Sequence, residues 1–291
     1  MERLLGQREF DSADEMNRAL DEARQQGLFE APPEVQAGRP LTALEQAQEL
    51  AYDALEASGR LRIKLARKAL SLSSDCADAC IILGNASVTP EAALEWYQRG
   101  VDGGARAIGA ERLSEASNLW EQLEARPYMR ARLALAQLLE ETGRGDEAVD
   151  HYRELLRMNR DDNQGARYLL IRLLFEQRRD EEAGSLLAEY QDDMQAIWPY
   201  ARALWTFRTQ GDSNAAREAL QEATRKNRHV IRYLLEPDTM PERAPHFALG
   251  SKEEAAFAAD ELLDAFEQTD GALEWLQMHS GSPRASRKKK K

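Results

Sequence analysis

The sequence predicts an all-α protein built as a solenoid of helical hairpins. Across residues 41–236, apolar residues recur at intervals of three and four, as they do on one face of a helix, and no stretch alternates as a β-strand does. Small residues recur at a longer period, since Ala148, Ala183 and Ala216 stand 35 and 33 residues apart. A period of this length is typical of stacked helical hairpins, in which small residues let neighbouring helices approach closely.

The hairpin pattern repeats between Met129 and Arg228. In its clearest copy a large residue, a small one, a second large residue, a turn glycine, a second small residue and an aromatic stand at the spacings of a tetratricopeptide repeat. These positions are held by Leu135, Ala136, Leu139, Gly143, Ala148 and Tyr152. The predicted fold class is an all-α, tetratricopeptide-like helical-hairpin solenoid, a right-handed superhelix with irregular N-terminal and C-terminal capping helices.

Each regular hairpin needs a permissive residue in its turn, five positions before the recurring alanine. Gly143 and Gly211 fill that position in the first and third hairpins, and glycine readily adopts the backbone angles of a tight turn. Arg178 fills it in the middle hairpin, so a strained or different turn is expected there. We also interpret Gly103-Gly104 and Gly109 as turn glycines rather than as a nucleotide-binding fingerprint.

Capping signals mark helices outside the regular repeats. Thr42-x-x-Glu45 predicts the start of one helix, Thr89 followed by Pro90 the start of another, and Ser251-x-x-Glu254 the start of a last helix. The predicted organisation is an N-terminal helix with a Pro-rich linker (1–40), irregular helical hairpins (41–128), regular tetratricopeptide-like repeats (129–228), a C-terminal capping region (229–278) and a disordered basic tail (279–291).

Composition narrows the class of protein. Charged residues make up 31% and hydrophobic residues 43%, so the chain can bury a core and remain soluble. The formal net charge is -12, and without the six cations of Arg284–Lys291 the rest of the chain carries -18, which repels nucleic acid at long range. No apolar run approaches the ~20 residues of a membrane span, and the N-terminus is too polar for a signal peptide. A cytoplasmic protein is expected.

The C-terminal third is similar to a known family. Its pattern combines Asn227-x-His229-Val230-x-x-Tyr233-Leu234-Leu235-Glu236, a proline-bearing stretch, Gly250-Ser251-x-Glu253-Glu254-Ala255 and Gly271-Ala272-Leu273. With Ile81–Gly100 and Arg132–Val149, this order resembles the suppression-of-tumorigenicity (ST-seven) protein family over residues 75–276. The resemblance implies a soluble, bacterial-type relative with tetratricopeptide-like repeats, an undefined molecular role and no catalytic residues.

A stripe of arginines and aromatics is predicted on the concave face of the solenoid. In a tetratricopeptide array the first helix of each repeat lines this face, and here those helices begin near Met129, Gln164 and Ile197. Arginine can bind a carboxylate or phosphate through two parallel hydrogen bonds, and tryptophan and tyrosine are frequent binding anchors. The stripe collects Arg130, Gln137, Glu140, Tyr168, Arg172, Phe175, Trp198, Arg202, Trp205 and Arg208.

The stripe has two interpretations. In the first it is a groove that binds a peptide or protein partner with acidic and aromatic or apolar residues, which makes the protein a non-catalytic scaffold or adaptor. In the second, Phe175 and Trp198 are inter-helix core and the arginines pair with nearby acids. The stripe lacks the lysine–asparagine clamp for a C-terminal carboxylate, so chaperone-tail binding is not predicted.

Other candidate sites are weaker. Cys76 and Cys80 share a helix face, but a zinc site needs about two further ligands at suitable spacing, so buried packing residues are expected. Asp150-His151 could suggest acid–base chemistry, although a solvated charged face explains it more simply. No catalytic set, cofactor or metal site is predicted, and an enzyme is a remote alternative.

The basic tail, Arg284–Lys291, also has two interpretations. It could contact RNA, ribosomes or anionic lipid, which would make the protein an RNA- or ribosome-associated adaptor. It has no aromatic for base stacking, and a solubilising end that folds back onto the acidic body is the simpler interpretation. The sequence does not identify the partner or the oligomeric state.

Overall fold

The computed structural model describes residues 39–242, 244 and 246–279. The chain divides into two compact units, Met1–Thr42 and Ala43–Lys291, and the helices below belong to the second. The predicted N-terminal helix, its linker up to residue 38 and the predicted basic tail after His279 lie outside the described residues, while His279 itself is the last residue of a helix. None of the helices described is long and apolar enough to cross a membrane.

The described residues confirm the all-α prediction. They form fourteen α-helices with three short 3-10 helices, and their one bridge of β type is isolated, between Asn118 and Asn159. The helices are α1 Ala43–Glu56, α2 Gly59–Leu72, α3 Ala77–Asn85, α4 Pro90–Ile108, α5 Ala110–Glu115, α6 Arg126–Glu141, α7 Gly145–Met158, α8 Ala166–Glu176, α9 Asp180–Glu189, α10 Ile197–Gln210, α11 Asn214–Lys226, α12 His229–Leu235, α13 Lys252–Glu267 and α14 Ala272–His279.

Three consecutive hairpins, α6–α7, α8–α9 and α10–α11, form the regular repeats. The recurring alanines Ala148, Ala183 and Ala216 are all fully buried where helices meet. Gly143 and Gly211 have positive φ angles of 77° and 64°, as their turns require. The strained middle turn is confirmed as well, because Arg178 has a φ of 56°, a region that non-glycine residues seldom occupy.

The helices before the regular repeats confirm most of the predicted starts. The Thr89 side chain accepts a hydrogen bond from Ala92 N at 3.3 Å and caps α4. The interpretation of Gly103 and Gly104 as turn glycines is wrong, because both are buried inside α4. A Cβ at Gly104 would lie 2.7 Å from the Tyr128 Cβ, so glycine permits α4 and α6 to approach closely.

The C-terminal helices pack against the repeat array itself. Helix α13 begins where predicted, with the Ser251 side chain accepting from Glu254 N at 3.1 Å. It packs on α8, α10 and α12. It is not the last helix, because α14 follows it, and Trp275 of α14 stacks on Phe207 of α10 with ring centroids 4.6 Å apart. The described chain ends at His279, whose Nε2 lies 3.0 Å from Asp212 Oδ1.

A buried carboxylate fixes the start of α13. Glu254 is 2% exposed and accepts hydrogen bonds from Ala196 N at 3.0 Å, Asn227 Nδ2 at 3.0 Å and Gly250 N at 2.6 Å. Asn227 also donates to Ser251 O at 2.8 Å. These bonds connect the start of α10, the end of α11 and the start of α13, which explains why the C-terminal motif contains both an asparagine and a glutamate.

Candidate protein-binding surfaces

An open cleft lies between α6 and α8, the first helices of two repeats, and helix α13. Its volume is about 670 Å³. Helix α13 packs on α8 and α10 next to the cleft. The cleft is the part of this surface that stays open to solvent. The cleft is lined by Gln137, Glu140 and Glu141 of α6, Leu169, Arg172 and Glu176 of α8, and Asp264 and Gln268 at the end of α13.

The charge of Arg172 is neutralised within the cleft. Its guanidinium lies 2.6 Å from Glu140 Oε1, 3.1 Å from Glu176 Oε1 and 3.2 Å from Glu261 Oε2. Glu140 also accepts a hydrogen bond from the Tyr152 hydroxyl at 2.8 Å. One cation therefore faces three carboxylates, and it joins α8 to both α6 and α13.

The remaining groups make the cleft acidic. Glu141 and Asp264 are exposed and form no ion pair with any residue in the described part of the chain. Burial raises the pKa of Glu176 above its ordinary value, and the nearby Arg172 opposes that shift. The lining holds four carboxyl groups against a single arginine. Such a cleft attracts a cationic group.

Tyr168 lies beneath α13. Its hydroxyl donates to Asp193 Oδ2 at 2.8 Å and accepts from Arg167 Nη2 at 2.6 Å. Its ring forms T-shaped contacts with the rings of Phe257 and Trp198 at centroid distances of 6.0 and 5.9 Å. Tyr168 is thus a packing residue between the repeats and α13, and its ring and hydroxyl are both occupied inside the protein.

Four predicted groove residues of α10 face α9 and the loop after it. Trp205 Nε1 donates to Asp180 O at 2.8 Å, and the ring fills the space beside Gly184. Arg208 pairs with Asp180 at 2.8 Å. A weak bond of 3.4 Å joins Arg202 Nη2 to Leu187 O. Trp198 is 1% exposed, and Phe175 of α8 is equally buried, as the core interpretation of these two residues expects.

Trp198 and Arg202 border a second, smaller cavity of about 260 Å³. It lies at the α9–α10 loop and is separate from the acidic cleft. Its lining combines loop residues with one face of α11 and consists of Gln191, Asp192, Asp193, Met194, Trp198, Pro199, Arg202, Ala219, Glu222 and Lys226. Of the predicted stripe, only Gln137, Glu140 and Arg172 are brought together in the acidic cleft.

Arg130 lines neither the acidic cleft nor the smaller cavity. Its guanidinium holds the buried Asp78 of α3 through Nε at 2.9 Å and Nη2 at 2.5 Å. Gln48 of α1 donates to the same carboxylate at 2.6 Å. Arg130 therefore connects the irregular hairpins to the first regular repeat.

Helix α2 carries a basic surface that was not predicted from the sequence. This helix has five cationic residues and no acidic residue in its fourteen positions. A cavity of about 740 Å³ lies along it, lined by Gly59, Arg60, Arg62, Ile63, Lys64, Arg67 and Ala86. The charge run is visible in the sequence, and a count of charge per predicted helix would have found it.

The weaker candidates have structural explanations. Cys76 and Cys80 are buried as predicted, and burial raises the pKa of each thiol to about 11. His151 contacts Arg132 through Nδ1 at 3.2 Å, and burial lowers its pKa. In the described ranges, no group of three or more histidine, cysteine, aspartate or glutamate residues could hold a metal ion.

Comparison with known proteins identifies the central part of the chain. None of the curated proteins compared with the chain matches it. The model of the tetratricopeptide repeat family matches residues 101–163 and, in an overlapping second match, residues 133–202. Together the two matches run from the second half of α4 into α10. This part of the chain carries tetratricopeptide-like repeats, which generally mediate protein–protein interaction and scaffolding.

Proposed function

We propose that the protein is a non-catalytic interaction module that binds a segment of a partner protein in the cleft between α6, α8 and α13. The observation that carries the proposal is the open cleft itself, on the side where tetratricopeptide-like arrays hold their ligands. Gln137 and Arg172, both predicted from the sequence to contact a partner, belong to its lining.

The charges favour a basic segment over the acidic one that the arginine stripe suggested. Arg172 is already paired with three carboxylates, so it has little capacity left for a partner's carboxylate. Glu141 and Asp264 are exposed and unpaired among the residues described, so they are available to lysine or arginine side chains. Leu169 supplies apolar surface for the aliphatic stem of such a side chain.

A peptide-binding experiment tests this proposal. Fluorescent ten-residue peptides rich in lysine and arginine are titrated with the wild-type protein and with the Glu141→Lys/Asp264→Lys variant. Both positions are exposed, so the fold should persist, and the charge reversal should weaken binding about tenfold or more, equivalent to about 1.4 kcal/mol. A photo-crosslinking residue at the exposed Gln137 should label the bound peptide.

The matched control reverses two exposed acids elsewhere, Glu111→Lys on α5 and Glu218→Lys on α11. This variant has the same net charge as the cleft variant, so it separates a local effect from an overall one. If the two variants lose affinity equally, or if the crosslinker at Gln137 labels no peptide, the cleft is not the binding site.

The closer kinship with the suppression-of-tumorigenicity (ST-seven) family is also a proposal. It is supported by the order of the C-terminal motifs, and Asn227 and Glu254 of those motifs bond to each other at 3.0 Å. The family would place the protein among tetratricopeptide-like proteins without an assigned reaction.

A further inference from the structure

Helix α2 presents cations that no acid of the described chain balances. Arg60, Lys64, Arg67 and Lys68 are exposed, and none of them forms a hydrogen bond or an ion pair through its side chain within the described residues. Arg62 differs, because it donates to the carbonyl oxygens of Ala54, Leu55 and Ala57 at 2.9–3.2 Å and so binds the end of α1.

The spacing of these cations places them on one side of the helix. Arg60, Lys64 and Arg67 stand at i, i+4 and i+7, and Lys68 follows at i+8. Like charges at this spacing repel one another and destabilise an isolated helix. No ion pair within the described residues relieves that repulsion, although the chain has a net charge of -12 and many acidic residues.

The cations border a groove with an apolar floor. The cavity of about 740 Å³ reaches from α2 to Ala86 in the turn after α3. Ile63 lies half-buried in its lining, and Leu61 is 56% exposed on the same helix. A ligand in the groove would thus find aliphatic surface between positive charges.

We infer that this basic face of α2 binds an acidic segment of a protein partner. Its carboxylates would pair with Arg60, Lys64 and Arg67, and an aliphatic side chain would rest on Ile63. Arginine suits this role because its guanidinium forms two parallel bonds to one carboxylate. The surface is distinct from the acidic cleft, carries the opposite charge and would take a different ligand.

The short range of the positive electrostatic potential at α2 favours a short acidic peptide over a nucleic acid or an anionic membrane. Charge is screened over about 8 Å at physiological salt, so a short acidic segment experiences mainly the patch beneath it. A nucleic acid or an anionic membrane extends far beyond α2 and also meets the acidic remainder of the protein. The groove lining has no aromatic residue for base stacking either.

The test uses the full chain and a twelve-residue fluorescent peptide of glutamate and leucine, with a glutamine-for-glutamate version of the same peptide as ligand control. Wild-type protein should bind the glutamate peptide with an affinity that falls as salt rises, and should bind the glutamine version at least tenfold more weakly. The Arg60→Glu/Lys64→Glu/Arg67→Glu variant should lose at least tenfold in affinity for the glutamate peptide.

The control variant reverses three exposed cations outside α2, Arg160→Glu, Arg225→Glu and Lys252→Glu, and it should change affinity less than twofold. Circular dichroism verifies that both variants keep their helix content. Equal loss in both variants, or no binding of the glutamate peptide by wild type, overturns the inference. Tighter binding of a twenty-nucleotide oligouridylate or of phosphatidylserine vesicles, abolished by the α2 variant, would assign the surface to that ligand instead.

Discussion

Replacing Arg172 with methionine tests the cation that connects α6, α8 and α13. Methionine keeps much of the aliphatic volume of arginine but removes its charge and its hydrogen bonds. Glu140, Glu176 and Glu261 would then lose their shared partner, at side-chain exposures of 11%, 26% and 8%. Two of the three carboxylates are therefore nearly withdrawn from water, and the substitution removes the cation that they share.

The burial of these carboxylates determines how much unfolding free energy the substitution should cost. Removing one partner of a fully buried ion pair costs about 3–5 kcal/mol, mostly because the remaining charge is left unpaired. Arg172 retains 25% of its side-chain exposure and water can reach Glu176, so the expected loss is smaller, about 2–4 kcal/mol of unfolding free energy. Converting Glu261 to glutamine in the same variant should restore part of the loss, because it removes one of the carboxylates that Arg172 neutralises in the wild type.

Urea denaturation followed by circular dichroism measures the loss. Arg144→Met is the control, since Arg144 pairs with a single acid, Glu147, in an exposed position where ion pairs contribute little. If Arg172→Met proves as stable as Arg144→Met, the three contacts of Arg172 do not stabilise the fold and the reasoning fails. A stability loss as predicted would also mean that Gln137 is a better position than Arg172 for probing ligand binding.

Three further outcomes are expected. Gly104→Ala should lower stability by about 1–3 kcal/mol through overpacking against Tyr128, and a rise in the urea midpoint, as helix propensity alone would give, would contradict this packing. Arg178→Gly should be about 1 kcal/mol more stable than Arg178→Ala, because both variants lose the hydrogen bond to Gln268 but only glycine adopts the positive φ without strain. Equal urea midpoints for the two variants would count against backbone strain at this position. Binding of a basic peptide in the cleft should weaken as pH falls from 7 towards 5. The reason is the raised pKa of Glu176, which makes this residue take up a proton earlier than an exposed glutamate. Peptide titrations of the Glu176→Gln variant should show a smaller pH dependence.

Local sequence signals predicted the repeats because those signals depend on neighbours close in the chain. The buried alanines at 148, 183 and 216 and the glycines at 143 and 211 each satisfy a requirement of a single hairpin. Gly103 and Gly104 illustrate the limit. Glycine occupies these two positions because Asp75 and Tyr128, from other parts of the chain, approach them closely. A residue pattern cannot reveal such an approach.

The surface formed by the first helices of the repeats was less predictable because it depends on where α13 packs. The periodicity of α10 identified a face with Trp205 and Arg208, but it could not reveal that this face meets Asp180 of α9. The partners of Arg172 include Glu261, which lies 89 residues further along the chain. Long-range pairing of this kind determines which charges a partner encounters.

The packing of α13 changes how the array should unfold. In an open solenoid each repeat touches only its neighbours, so the ends can fray while the middle persists. Here Arg172 pairs with Glu261, and Arg178 donates to Gln268 O at 3.0 Å across 90 residues of chain. Since α13 contacts both α8 and α10, the second and third repeats cannot separate without releasing it. We expect residues 126–279 to lose their structure as one cooperative unit, with slow amide hydrogen exchange shared by α8, α10 and α13.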